Sequence, residues 1–368
     1  ADCYSANGTD CRNYGLLYGI PEIRTLFAEL LGVRSEQILA AGNSSLNLMY
    51  DTIVRAMLFG VPGGKCPWGK YEKIRFLCPV PGYDRHFSIC ENMGIEMINI
   101  DMGPYGPDMD TVERLCASDD TIKGIWCVPK YSNPEGKTYS DDTVRRLARM
   151  KAAKDFRIFW DNAYALHDLK TPGDCLLNLL EEAEQAGHPD RVYMFASTSK
   201  ISFPGAGVAV IAASTTNLED IGKSYTYQTI GPDKLNQLRH VRYFKNADGI
   251  RAHMKKHAEH LQPRFEAVLD TLNNQLLPLD IAEWTEPKGG YFISLNVCDG
   301  CAKRTVELMK NAGVIITPAG ATFPYGKDPR DRNIRIAPTY PPLEELKLCC
   351  ELLCICVKIA TAEKFLNR

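Results

Sequence analysis

The chain has 368 residues, 45% of them hydrophobic and 24% charged, with 43 Lys+Arg against 45 Asp+Glu and a formal charge of −2. A chain this long can bury a large core and form two domains, and its composition is that of an ordinary soluble globular protein. The balanced charge, with no long basic run, excludes a nucleic-acid groove and points to small-molecule partners.

From Pro21, a favourable first helical residue, an amphipathic stretch predicts a helix over 21–31, and Ser44-Ser45 can cap a second over 46–59. Short apolar runs then predict strands at 74–79, 95–100, 122–128, 156–160, 192–196 and 208–212. Helical patterns at 84–93, 109–117, 141–154 and 176–186 separate most of them. Strands alternating with helices imply an α/β fold whose mostly parallel sheet is covered on both faces. After about residue 245 the style changes: a long helix over 249–276, strands at 281–284 and 291–297, a helix over 302–312, a strand at 334–337 and a last helix from Leu343. This predicts a large domain over 1–246 and a smaller α+β domain over 247–368, with no repeat or low-complexity linker between them. The apolar tail 343–362 is interrupted by Glu344, Glu345, Lys347, Glu351 and Lys358, so it holds no membrane-spanning stretch. No signal peptide is visible, and 14 cysteines are too few for a disulfide scaffold of this length, so a reducing cytoplasm is expected. The sequence starts at Ala1 rather than Met, which leaves room for an upstream segment.

The chemistry centres on Lys200, which closes Ser197-Thr198-Ser199-Lys200 directly after a predicted strand. A lysine at such an exit is a candidate Schiff-base nucleophile. Two further strand ends deliver Asn133-Pro134-Glu135-Gly136 and Asp161-Asn162-Ala163-Tyr164, the way an open α/β sheet builds a site. Pyridoxal phosphate asks a protein for an amine, an acid beside the ring nitrogen, donors at the ring hydroxyl, a phosphate cradle and a stacking aromatic. Lys200 supplies the amine. Asp161 suits the ring nitrogen, although it could also cap a helix. Asn133 and Tyr164 are candidate donors to the ring hydroxyl. Asn43, Ser44 and Ser45 at a helix start offer backbone N–H groups to the phosphate, and Ser197 and Ser199 add hydroxyls. Tyr83, between a strand and a helix, could stack on the ring or belong to the core.

On these motifs the chain resembles the fold type I pyridoxal-phosphate aminotransferases, most closely the Ic subgroup of aspartate aminotransferases. The likeness is carried by Arg12-Asn13-Tyr14-Gly15, Gly42-Asn43-Ser44-Ser45, Pro81-Gly82-Tyr83-Asp84, Ser132-Asn133-Pro134, Asp161-Asn162-Ala163-Tyr164, Ser197-Thr198-Ser199-Lys200, Gly289-Gly290-Tyr291-Phe292 and Asn333-Ile334-Arg335. The resemblance implies Lys200 as the imine-forming lysine, Asp161 as the pyridine partner, Asn133 and Tyr164 at the ring hydroxyl and Tyr83 stacked on the ring. It further implies Arg335 as the grip on the substrate α-carboxylate, with Asn133 beside it, and Tyr14 as a residue lent to the phosphate of a neighbouring subunit in a homodimer. The implied activity exchanges an amino group between an amino acid, preferably L-aspartate, and a 2-oxo acid, preferably 2-oxoglutarate. One departure stands out: many relatives carry a phosphate-binding arginine after Pro-Gly, where this chain reads Pro204-Gly205-Ala206-Gly207. Lys234, Arg239 and Arg242 are candidate sources of charge for the phosphate or for a substrate side-chain carboxylate.

Other signals are read as structural. Cys298-Asp299-Gly300-Cys301 has the spacing of half a zinc site without a second pair, and no metal is expected. His253, His257 and His260 fall on one helical face among charged residues and are expected to be solvated, whereas His167 is expected to be a hydrogen-bonded core histidine. Two alternatives share the same residues: a lyase or decarboxylase using the same cofactor, and an aminotransferase-like regulatory domain that senses an amino acid.

Overall fold

The structure is a computed structural model that describes residues 2–366. Eight strands form one sheet: β1 (Ile38–Ala40), β2 (Arg75–Val80), β3 (Glu96–Gly103), β4 (Gly106–Pro107), β5 (Ile122–Cys127), β6 (Arg157–Asp161), β7 (Val192–Ser197) and β8 (Ala209–Ala213), in the order β1-β8-β7-β6-β5-β2-β3-β4. Pairing is parallel from β3 through β2, β5 and β6 to β7, and antiparallel at β7/β8, β8/β1 and β3/β4. Every residue of β5, β6, β7 and β8 is buried, as a sheet covered on both faces requires.

Alternation along the strands divides the core into two layers. Ile158, Trp160, Met194 and Val210 face α1 (Pro21–Leu31), α4 (Met109–Ser118), α5 (Asp141–Arg149) and α6 (Leu179–Gln185). Phe159, Tyr193, Phe195 and Ile211 face α2 (Ser45–Phe59), α3 (Asp84–Asn92) and α7 (Thr215–Gln228). Helix α8 (Lys234–Phe244) leads into the 29-residue α9 (Ala247–Gln275). The first turns of α9 put Ile250 and Met254 into the first of these layers, while Leu261, Phe265, Val268 and Leu272 enter a third core. That core also holds the antiparallel sheet β9 (Ala282–Trp284), β10 (Ile293–Val297) and β11 (Asn333–Ile336), with α10 (Ala302–Asn311) and α11 (Leu343–Leu366). One helix thus belongs to both bodies of the fold.

Several local expectations shift for physical reasons. The helix expected over 141–154 ends at Arg149. Beyond it the chain turns so that Asp155 can pair with buried Lys123, whose Nζ lies 2.9 Å from Asp155 Oδ1. The helix expected from residue 176 starts at Leu179, because the Asn178 side chain accepts from the N–H groups of Leu180 and Glu181 at 3.0 and 3.3 Å and caps it. Strand β1, three residues long, and helices α7 and α8 lie where no regular element is expected. Among the described residues no helix is long and apolar enough to cross a membrane.

Candidate active site

Parallel pairing brings the carboxyl ends of β2, β5, β6 and β7 to one edge of the sheet, and the candidate residues follow those ends. Asp161 is the last residue of β6 and Ser197 the last of β7. Beyond β7 the chain turns through Thr198, which is fully buried; its Oγ1 accepts from Val208 N–H at 2.9 Å. The turn also carries hydrogen bonds from Ile201 and Ser202 N–H to Thr198 O, at 2.9 and 2.8 Å. Lys200 projects from this stapled turn.

Its Nζ lies 4.9 Å from the centroid of the Tyr164 ring. Burial pushes the Lys200 amine below its ordinary value, against the opposing charge of Asp161. Burial, then the Asp161 charge, pushes the Tyr164 phenol up, so it remains an O–H donor at neutral pH. The Asp161 carboxylate is itself buried: Oδ2 accepts from His86 Nε2 at 3.1 Å, whereas Oδ1 is buried with no hydrogen-bond partner. His86 is fixed in turn by stacking on Trp126, with ring centroids 4.3 Å apart and planes 8° from parallel. Tyr83 meets His86 edge-on at 4.9 Å, and burial, then Asp161, raises its phenol to about 12.

Two side chains hold the lysine's own carbonyl. Tyr291 Oη donates to Lys200 O at 3.1 Å, and His167 Nε2 donates to it at 3.2 Å. His167 is a buried, hydrogen-bonded histidine as expected, yet its partner is the backbone of the candidate nucleophile. Tyr291 reaches this point because Gly289 and Gly290 pass against Tyr131 and His167: a Cβ on Gly289 would overlap the Tyr131 ring and the His167 carbonyl, and Gly290 adopts φ +82°.

Asn133, buried after β5, accepts from Arg335 Nη1 at 3.2 Å through Oδ1. Arg335 Nη1 also donates to Asp84 Oδ1 at 2.9 Å, and its guanidinium carbon sits 5.1 Å from the Phe292 ring centroid. At the start of α2, Ser44 caps the helix by accepting from Asn47 N–H at 3.4 Å, Ser45 is its first residue, and Asn43 Nδ2 donates to Pro204 O at 3.3 Å. Ser197 Oγ and Ser199 Oγ lie 2.8 Å apart. Gly42, Asn43 and 205–207 share a groove of about 540 Å³ with Arg239, whose Nη2 donates to Ala206 O at 3.1 Å. Of the other two candidate cations, Lys234 is 4% exposed and Arg242 pairs with Asp2 at 2.8 Å. A Cβ at Gly207 would lie 3.0 Å from Thr198 Oγ1, so a side chain there would require that neighbour to shift by a few tenths of an ångström.

Tyr14 stands apart: it is 78% exposed, and its phenol has no hydrogen-bond partner among the described residues. The structure corrects one expectation outright. His253 and His257 are half-buried rather than solvated, and His253 Nε2 lies 2.9 Å from Ile201 O, beneath the lysine turn; only His260 is exposed. Cys298 and Cys301 form a turn closed by Cys301 N–H donating to Cys298 O at 3.1 Å. His86, Asp84, Tyr291 and Phe292 are site residues that motif reading leaves without a role, although His86 follows Tyr83 by three residues, one helical turn.

These residues fit the cofactor that the sequence suggests. A buried carboxylate with one unpartnered oxygen suits a ring nitrogen, and a desolvated amine suits imine formation. Burial, then the Lys200 charge, also depresses the His167 imidazole from 6.5 to about 3. The unfolded chain therefore binds a proton near pH 6.5 that the native ring refuses, so stability falls as pH drops from about 6.5 towards 3. His167→Gln, which can keep the donor to Lys200 O, should remove up to about 1.4 kcal/mol per pH unit of this acid slope. Denaturant titrations of both proteins between pH 4 and 7 check this; parallel slopes would remove His167 as the cause.

The whole chain, residues 1–368, matches the family model described as aspartate amino-transferase. It is similar to the aspartate aminotransferase of Corynebacterium glutamicum, 47% identical over 367 residues that cover 100% of this chain and 85% of that protein. A protein of Mycolicibacterium smegmatis described as an aminotransferase is 50% identical, covering 100% of this chain and 86% of its own. The crystal structure of an aspartate transaminase from C. glutamicum superposes with a TM-score of 0.97 at 47% identity, over 99% of this chain and 86% of that one.

Proposed function

The chain belongs to the aspartate aminotransferase family and is a transaminase, and from that premise we propose that it uses pyridoxal phosphate to pass the amino group of L-aspartate to 2-oxoglutarate. The observation that carries this reading is the buried Lys200 amine beside an Asp161 carboxylate with one unpartnered oxygen. Bound pyridoxal phosphate supplies the electron sink that makes the substrate Cα–H bond labile.

The chain's residues supply the rest. Lys200 would hold the cofactor through its amine and would serve as the base that moves the α-proton; its depressed pKa raises the neutral fraction available for both tasks. Asp161, oriented by His86, would face the ring nitrogen with its carboxylate. Tyr164 and Asn133 serve the ring hydroxyl, and Tyr83 covers the ring. Arg335 grips the α-carboxylate, a task matched to a planar guanidinium. Asn43, Ser44, Ser45, Ser197 and Ser199 cradle the phosphate, and Arg239 supplies the cation that the lysine loop lacks. Tyr14, exposed in the isolated chain, is lent to the neighbouring site in a homodimer. Most of the cysteines are buried, Cys78, Cys90, Cys127 and Cys354 among apolar groups, which supports a reducing compartment.

Adding L-aspartate to protein loaded with pyridoxal phosphate should shift the cofactor's visible absorption, and 2-oxoglutarate should restore it. Lys200→Ala should lose roughly 10³-fold or more of the turnover, and normal turnover in that variant would end the proposal. Arg239→Gln should narrow the preference for pyridoxal phosphate over pyridoxal by roughly tenfold, the value of one charge-assisted contact; equal preferences in fluorescence titrations would discard Arg239 as the phosphate cation. Light scattering should return a dimer, and a monomer with full activity would remove Tyr14 from the site.

A further inference from the structure

Arg335 has five N–H donors, and the structure commits them unevenly. Both hydrogens of Nη1 are taken, one by Asp84 Oδ1 at 2.9 Å and one by Asn133 Oδ1 at 3.2 Å. Nε is buried and has no partner. A guanidinium can hold a carboxylate in two bidentate ways, through the Nη1/Nη2 end or through the Nε/Nη2 side. Asp84 and Asn133 close the end, and Phe292 lies 5.1 Å away against the group. The side fork remains.

We propose that Asp84 is a positioning residue for the substrate: it turns Arg335 so that the Nε/Nη2 side receives the α-carboxylate, and its own charge beside that carboxylate restrains the affinity. The proposal rests on the reading of Arg335 as the α-carboxylate grip. Asp84 is the first residue of α3 and Arg335 lies on β11, so the pair also ties the small sheet to the helix that carries Tyr83 and His86. The two effects of Asp84 have opposite sign. Orientation favours binding, because a fixed fork loses less entropy when it pairs. Repulsion between the fixed and incoming carboxylates opposes it, and with about a third of the Asp84 side chain exposed, water moderates that repulsion.

Two substitutions separate them. Asp84→Asn keeps an oxygen acceptor for Nη1 and removes the charge, so KM should fall by roughly threefold to tenfold. Asp84→Ala removes both, and KM should rise. In each variant the KM values for L-aspartate and 2-oxoglutarate should move by the same factor, because both carry the same α-carboxylate, and kcat should change less than KM. A purely structural role would move both variants in one direction. An unchanged or raised KM in Asp84→Asn overturns the proposal, and if Asp84→Ala does not fold, that sign alone decides. Arg335→Ala, assayed alongside, tells the two failures apart. An unchanged KM there removes the α-carboxylate reading and the Asp84 proposal with it; a raised KM without a fall in Asp84→Asn removes only the role of Asp84.

Discussion

The parallel pairing of β2, β5, β6 and β7 is the constraint on which the site depends. Parallel strands end on the same side, so residues far apart in the chain emerge at one edge: Tyr83 after β2, Asn133 after β5, Asp161 on β6 and Lys200 after β7. Register sharpens this further. Asp161 pairs with Phe195, two residues before the end of β7. A slip of one residue would send the Asp161 side chain to the opposite face of the sheet, away from the lysine turn. Continuous burial of β5, β6 and β7 opposes such a slip, because it would exchange the two packed layers.

Burying an amine and a carboxylate at that edge is costly, and the surroundings show how the cost is met. Lys200 and Asp161 stabilise each other's charge, and His86 occupies one carboxylate oxygen. The other oxygen stays without a partner, as does Arg335 Nε. Other buried polar atoms, Arg55 Nε and Arg157 Nε among them, also lack a partner, but these two belong to the candidate site, where a charged ligand would complete them. The site is therefore polar machinery held by apolar packing: Trp126 fixes His86, which fixes Asp161.

The second sheet contributes through a few close approaches. Tyr291 reaches the Lys200 carbonyl, Arg335 reaches Asp84 and Asn133, and Gly289-Gly290 lets these segments pass against Tyr131. Helix α9 belongs to the cores on both sides of this junction. Arg335 and the Lys200 turn thus lie beside different cores of the fold, and their relative placement is set by packing between them.

Local pattern was enough for much of this protein. The 21–31 helix, the Ser44 cap, six of the eight strands of the main sheet and the strand-end motifs around Asn133, Asp161 and Lys200 are legible because periodicity, capping and turn chemistry act over a few residues. The three-residue β1 and the two-residue β4 are too short to leave a period, and the helix expected over 141–154 stops at Arg149, ahead of the turn in which Asp155 pairs with Lys123 of β5. His86, Tyr291 and Asp84 have no motif of their own; each acquires its role from a partner more than 70 residues away in the chain. The residues and their chemistry were decided by sequence alone. Which carboxylate oxygen stays open, which cation faces the groove beside Gly205 and which edge of Arg335 is free were decided only by tertiary packing, because hydrogen-bond partnership depends on distance and direction that adjacency in the chain does not encode.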